Sequence, residues 1–363
     1  MQDQMTPAER AAAIAQGKDA DRLPCNPNVA NGTARVYGCK ISDFNTNAKT
    51  LAMAQVASYR RFGYDSIRIF TDLFPWAEAM GALVKLPDDE TADLEKPAIS
   101  DVSEIERLTP ANPHKDGRLP VYLEAMKYLL DEVGDEINCS CSVVGPFTNA
   151  FFLMGVEKAL TMLHKNPDAI HALCRVSLQT VKAYAAAAME IGITPTISEP
   201  MSSSSVVSPK AFREFSLPYM RELVDFIKSK GRGAVIHICG QSKNIWQDAA
   251  DMGIAGMSID NVASLCDCKL AIGEKVRILG NVEPGGVMFS GSRMDVRLRT
   301  LECILEGYDS PKGYVVMSGC SLPVDTPFEN IQEMMDTVRE VGYPVTAEKV
   351  EYMIKACRKR MGD

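Results

Sequence analysis

From residue 20 onward, short apolar runs rich in β-branched residues alternate with longer segments of helical period, the pattern of βα units and a parallel sheet. Eight runs read as strands: 23–29, 66–70, 137–144, 194–200, 234–240, 256–260, 276–282 and 314–320. Between them the 3.6-residue period predicts helices over 47–63, 119–134, 167–192, 208–231, 244–253 and 294–308, most of which close on a glycine. Ahead of the first strand, Thr6 reads as an N-cap, Pro7 as the first helical residue, Glu9 as the far side of a capping box and Gly17 as a stop. Eight strands with helical crossovers predict an α/β fold, a (β/α)8 TIM barrel, with a doubly wound open sheet as the competing architecture. The reading is one domain over 1–363 with a helical N-terminal extension. Residues 71–118, rich in Pro, Asp and Glu, are read as an irregular insertion or lid.

A barrel places chemistry at the carboxyl ends of its strands. Here those ends carry Asn28, Asp72, Ser142, Glu199, His237 with Cys239, Asp260, Asn281 and Cys320. His237 is one of only four histidines, and in "VIHICGQS" it stands two places before Cys239, so in a strand both side chains leave the same face. Cys320, at the end of the eighth strand, shares the rim with them. One imidazole and two thiolates with a fourth position open suit a catalytic zinc ion. The plainer account is that His-x-Cys packs as core and that Cys320, in "SGCSLP", is a small residue in a tight turn. Glycines 240 and 319 beside the two thiols admit a purely backbone explanation as well.

Composition narrows the partners. A net charge of -8 over 363 residues leaves no broad basic surface for a phosphate backbone, which argues against nucleic acid. Eleven cysteines, odd in number and without a framework spacing, fit a reducing cytoplasm better than a disulfide scaffold. The first residues lack the features of a signal peptide, and no apolar run approaches the ~18 residues of a membrane span. Neither glycine-rich nucleotide motif nor G-x-S-x-G occurs.

The blocks "VIHICGQSKNIWQDAADMGIAGMSID", "VRILGNVEP" and "MSGCSLPVDTPFENI", with "YDSIRIFTDLFPWAEAMGA" and "GPFT", resemble the uroporphyrinogen decarboxylase superfamily and, within it, the corrinoid-dependent methyltransferases. The resemblance implies a uroporphyrinogen decarboxylase-like barrel and a zinc ion on His237, Cys239 and Cys320. It also implies methyl transfer to or from the cobalt of a corrinoid (cobalamin) carried by a partner protein. Porphyrinogen decarboxylation is disfavoured, because the stretch after the first strand lacks the arginine-bearing segment of those enzymes, and Arg35 stands alone there. This chain has no Asp-x-His-x-x-Gly corrinoid-attachment motif, so the corrinoid must arrive on its carrier.

The expected direction is from a methoxylated aromatic or similar small donor to Co(I), as in an O-demethylase. The alternative is transfer from methylcobamide to a thiol such as coenzyme M. Glu199 and Asp260 are the expected proton sources, with Glu199 also a candidate fourth ligand. Trp76 and Phe147 are expected in the pocket wall, and Asn281 and Asp260 orient substrate or ligands. The run "TISEPMSSSSVVSP" is read as a flexible polar loop at the rim.

Overall fold

A computed structural model describes residues 3–362. All eight expected strands form, each trimmed by a residue or more: β1 (Cys25–Asn26), β2 (Ser66–Ile69), β3 (Asn138–Val144), β4 (Thr194–Ser198), β5 (Val235–Ile238), β6 (Gly256–Ile259), β7 (Arg277–Val282) and β8 (Tyr314–Ser318). They make one eight-stranded sheet in the order β1-β8-β7-β6-β5-β4-β3-β2, and every ladder is parallel. The open seam between β1 and β2 is bridged at Asp65, whose N–H donates to the Cys25 carbonyl (3.0 Å) and whose carboxylate accepts from the Cys25 N–H (2.6 Å). The result is a nearly closed barrel, and the open-sheet alternative falls away.

Helices wrap it. Those expected over 47–63, 119–134, 167–192 and 294–308 form nearly as read. The one over 208–231 is interrupted by a π-helical turn at Phe212–Ser216, and 244–253 shortens to Trp246–Ala250. The helices at Pro146–Met154, Phe328–Val341 and Ala347–Met361 go beyond the sequence reading. The principal helices are α1 (Pro7–Ala15), α2 (Ala48–Phe62), α3 (Leu119–Val133), α4 (Pro146–Met154), α5 (Pro167–Ile191), α6 (Leu217–Ser229), α7 (Leu265–Ile272), α8 (Arg293–Gly307), α9 (Phe328–Val341) and α10 (Ala347–Met361). Both halves of the capping box at Thr6 and Glu9 are made. The segment 71–118 is more ordered than its composition suggests. It contains a short helix at Pro75–Ala79 and an antiparallel hairpin pairing Leu83–Lys85 with Asp93–Lys96. Those strands are too short and too polar to show a period of two.

Alternation along the strands sorts the side chains by chemistry. Outward positions such as Ile67, Ile69, Cys141, Ile197, Ile236 and Ile238 are buried beneath the helices and belong to the hydrophobic core. Inward positions are mostly polar: Ser66, Arg68, Ser140, Thr194, Thr196, His237 and Ser258 all line an interior cavity of ≈ 690 Å³. Barrels of this class ordinarily fill the interior with layers of branched apolar side chains. Here the small polar residues leave it hollow.

Candidate metal centre

The ladder registers set the centre. Ser198, His237 and Ser258 are side by side on β4, β5 and β6 and share the inward face. β5 ends at Ile238, so Cys239 lies just past the strand and not within it as expected, but the alternation carries on and keeps its thiol on the side of His237. His237 Nε2 is 3.1 Å from Cys239 Sγ, and Cys239 Sγ is 3.5 Å from Cys320 Sγ. The donor atoms of the three residues all lie within 4.8 Å of one another, and each residue is only partly buried. Sequence spacing had left a packed-core reading open; this convergence of three separated residues is what a metal site requires.

The imidazole is oriented for the task. Its Nδ1 meets Ser258 Oγ at 3.0 Å, which leaves Nε2 turned toward the thiols. The thiol pair shares its charge unequally. The hydrogen bond from Cys239 and the contact with His237 hold Cys320 well below the ordinary thiol range, whereas Cys239 is pushed up by its bond to Cys320 and by burial. Two sulfurs 3.5 Å apart suit a dithiolate site, since thiols deprotonate when they ligate a metal.

Loops fix the two thiols. Gly240, directly after Cys239, has φ +67°, and a Cβ there would lie 2.7 Å from the hydroxyls of Ser203 and Ser205. A Cβ on Gly319, directly before Cys320, would lie 2.5 Å from the Asn261 N. Both glycines therefore permit close backbone approaches next to a ligand. The serine run is bound, not loose: Ser203 Oγ donates to the Gln241 carbonyl (3.2 Å), and Ser205 Oγ accepts from the Gln241 N–H (3.0 Å). On the other side, Ser318 Oγ donates to the Cys320 carbonyl (2.8 Å) and accepts from the Asn28 N–H (3.0 Å).

Several expected site residues fall elsewhere. Since Ser198 faces inward, Glu199 turns outward and is fully buried. Its Oε1 accepts from the Thr148 N–H (2.7 Å) and hydroxyl in the first turn of α4, while Oε2 has no partner. Burial raises its pKa to about 7, against the lowering effect of the Thr148 bonds. Glu199 is thus a buried carboxyl beneath the helix layer, and it stands outside the donor cluster. Trp76 packs edge-on against Tyr184 of α5 and Phe147 against Phe151 within α4, each almost wholly buried. Aromatic side chains there gain more from the core than from the mouth.

Asp260 is near the centre but braces it: its carboxylate accepts from the N–H groups of Gly240 (2.8 Å) and Val262 (3.3 Å). Asn281 donates to the carbonyls of Asp260 (3.1 Å) and Ala263 (2.7 Å) and so supports the same turn. Asp72 is taken up in a buried ion pair with Arg118 (2.8 Å). Ser258, Ser318 and Arg68 were missed as site residues. The detectable signal for Arg68 was a lone cation on the inward parity of the apolar strand "SIRIF".

Comparison with known proteins places the barrel in a family. The family described as uroporphyrinogen decarboxylase (URO-D) matches residues 6–341. The chain is 28% identical over 348 residues to a methylated-thiol–coenzyme M methyltransferase of Methanosarcina mazei, covering 95% of this chain and 92% of that one. It is 26% identical over 335 residues to a methylcobamide:CoM methyltransferase of Methanosarcina barkeri, covering 90% and 95%. A uroporphyrinogen decarboxylase of Aliivibrio fischeri is 25% identical over 308 residues, covering 82% and 85%. Among solved structures, a methyltransferase from Methanosarcina mazei superposes with a TM-score of 0.83 at 25% identity, over 93% of this chain and 99% of that one. A match that spans nearly the whole barrel, first strand to last, settles the family: this chain belongs to the uroporphyrinogen decarboxylase family.

Proposed function

We propose that the chain is a zinc-dependent methyltransferase that moves a methyl group between a small molecule and the corrinoid of a partner protein. The observation that carries this reading is the meeting of His237, Cys239 and Cys320 within 4.8 Å at the carboxyl ends of β5 and β8. One imidazole and two thiolates match a borderline divalent ion and leave a position for substrate. Zinc on these residues supplies Lewis acidity, lowering the pKa of a bound thiol or polarising a leaving heteroatom. Ser258 holds the His237 ring, and Asp260, Asn281 and Ser318 hold the two loops that carry the thiols. The relatives named as methyltransferases support the same class of reaction.

The donor set serves both directions. Transfer from a methoxylated aromatic to Co(I) drew on Glu199 as acid and on Trp76 and Phe147 as ring walls, and those three side chains stand in the helix layer. Of the two expected proton sources that leaves Asp260, whose carboxylate accepts from the Gly240 N–H beside Cys239. Transfer to a thiol needs no proton donor and corresponds to the activities named for the relatives.

Free cobalamin in its Co(I) and methylated forms, offered with methoxyarenes and with thiols, separates the two by the corrinoid spectrum. Methyl-cobalt appearing with a methoxyarene supports the first; loss of methyl-cobalt with a thiol supports the second. Zinc should be present at one per chain and should be lost in Cys320→Ala with the barrel still folded. No spectral change with any partner, or unfolding on chelation, would refute a catalytic metal.

A further inference from the structure

The hollow interior reaches from His237 down to the amino-terminal ends of the strands, where Lys18 and Arg277 line its opening. Its volume of ≈ 690 Å³ is in the range of small-molecule sites. Arg68 projects into it from β2, in register with Ser140 of β3. The guanidinium lies 5.1 Å from the centre of the Phe70 ring, and among the described residues it meets no carboxylate. Burial disfavours its charge, and the cysteines near enough to act on it are Cys320, Cys239 and Cys141.

This arrangement is incomplete. An arginine with five donors inside a barrel is normally matched by a carboxylate, as Arg118 is by Asp72 and Glu78, and Arg10 and Arg22 are by Asp65. Among the described residues no hydrogen bond joins the Arg68 guanidinium to the neighbouring hydroxyls; Ser140 donates to the Ile67 carbonyl and Thr196 to the Cys141 carbonyl. Once both thiolates are committed to a divalent ion the centre is neutral, and Arg68 is left with an uncompensated charge. Lys18 and Arg277, also without carboxylate partners among the described residues, add positive potential at the opening.

We propose that the barrel interior is an anion-binding chamber in which Arg68 anchors the carboxylate or sulfonate of the small molecule that reacts at the metal. The identity of the molecule's other end rests on the methyl-transfer reading; the anion site does not. Arg68 in this role is a positioning residue. It selects a compact organic anion, whether a thiol acceptor or a methoxylated donor, and holds it with its heteroatom toward His237.

The test is calorimetric binding to the metal-loaded protein with no corrinoid present. The thiol arm compares 3-mercaptopropionate with 3-mercapto-1-propanol, and the methoxyl arm compares 4-methoxybenzoate with 4-methoxybenzyl alcohol. In at least one arm the acid should bind about 10- to 100-fold more tightly than its neutral partner, and that arm identifies the source of the anion. Arg68→Met should abolish the preference while leaving the neutral affinity and the zinc content unchanged. Arg68→Lys, which keeps the charge and loses the fork, should retain part of it and covers the case in which Arg68→Met fails to fold. Equal binding of acid and neutral partner in both arms, or an acid preference that survives in Arg68→Met, overturns the proposal. Anion preference without methyl transfer in any assay would defeat the functional reading alone, and methyl transfer without the preference would defeat the anion site alone.

Discussion

Ser258 makes a single hydrogen bond to His237 Nδ1, and that bond decides which imidazole nitrogen is free for a metal. Outer hydrogen-bond partners of this kind are typically worth about 10- to 100-fold in metal affinity. Ser258→Ala should therefore weaken zinc binding by about that factor, measured by competition with a chelator, without lowering the melting temperature appreciably. Unchanged affinity would mean that the strand alone fixes the ring. At the same scale, one residue step separates Ser198 on the inward face from Glu199 in the helix layer. Parity along a strand, and not nearness in sequence to a rim, decides whether a carboxyl is available to substrate.

At the scale of elements, the centre is a product of strand ends and of the turns that leave them. His237 is delivered by β5 itself, whereas Cys239 and Cys320 sit on turns whose paths depend on neighbouring glycines. A side chain at position 319 would collide with the backbone of Asn261, so Gly319→Val should push the Cys320 turn outward. The expected outcome is loss of most bound zinc with the far-ultraviolet dichroism of the barrel retained. Full zinc content in that variant would show that the turn has slack. The serine run at 202–205 is part of the same construction. Composition suggested a loose loop, but the Ser203 and Ser205 hydroxyls and the Ser204 N–H are bonded to Gln241, and the Ser202 hydroxyl to Ser216. Serine hydroxyls satisfy backbone groups as readily as they face water, and composition cannot distinguish the two.

At the scale of the whole molecule, a buried ionic network closes the barrel at its floor. Arg10 and Arg22 converge on Asp65, whose backbone and carboxylate bridge the β1–β2 seam, while Asp3 binds Arg22 (2.7 Å) and Arg339 (3.2 Å). Burial alone would raise the Asp3 carboxyl, but the bonds from Arg22 and Arg339 outweigh it and hold the group at about 2, below its ordinary 3.8. A carboxylate depressed by folding contributes stability that is present above its unfolded pKa and is lost as the pH falls through the folded one. Asp3→Asn should thus be less stable than the parent at pH 7, by on the order of 1 kcal/mol once solvent screening at this half-buried position is allowed for. The difference should shrink between about pH 4 and pH 2, as read from denaturant unfolding across that range. A gap that stays constant with pH would show that Asp3 acts by packing and not by charge.

The sequence by itself determined the number and chain order of the strands, most of the helices between them and the two short motifs that bring a histidine and two cysteines to strand ends. Each of these is a local matter, fixed by a period of two or of 3.6 and by turn residues within a few positions. Only the tertiary structure decided that Cys320 reaches Cys239, 81 positions away, that Glu199, Trp76 and Phe147 belong to the helix layer, and that Arg68 stands unmatched in a hollow barrel. Those outcomes depend on ladder register and barrel closure, which set the face of every side chain at once and leave no mark within a single segment.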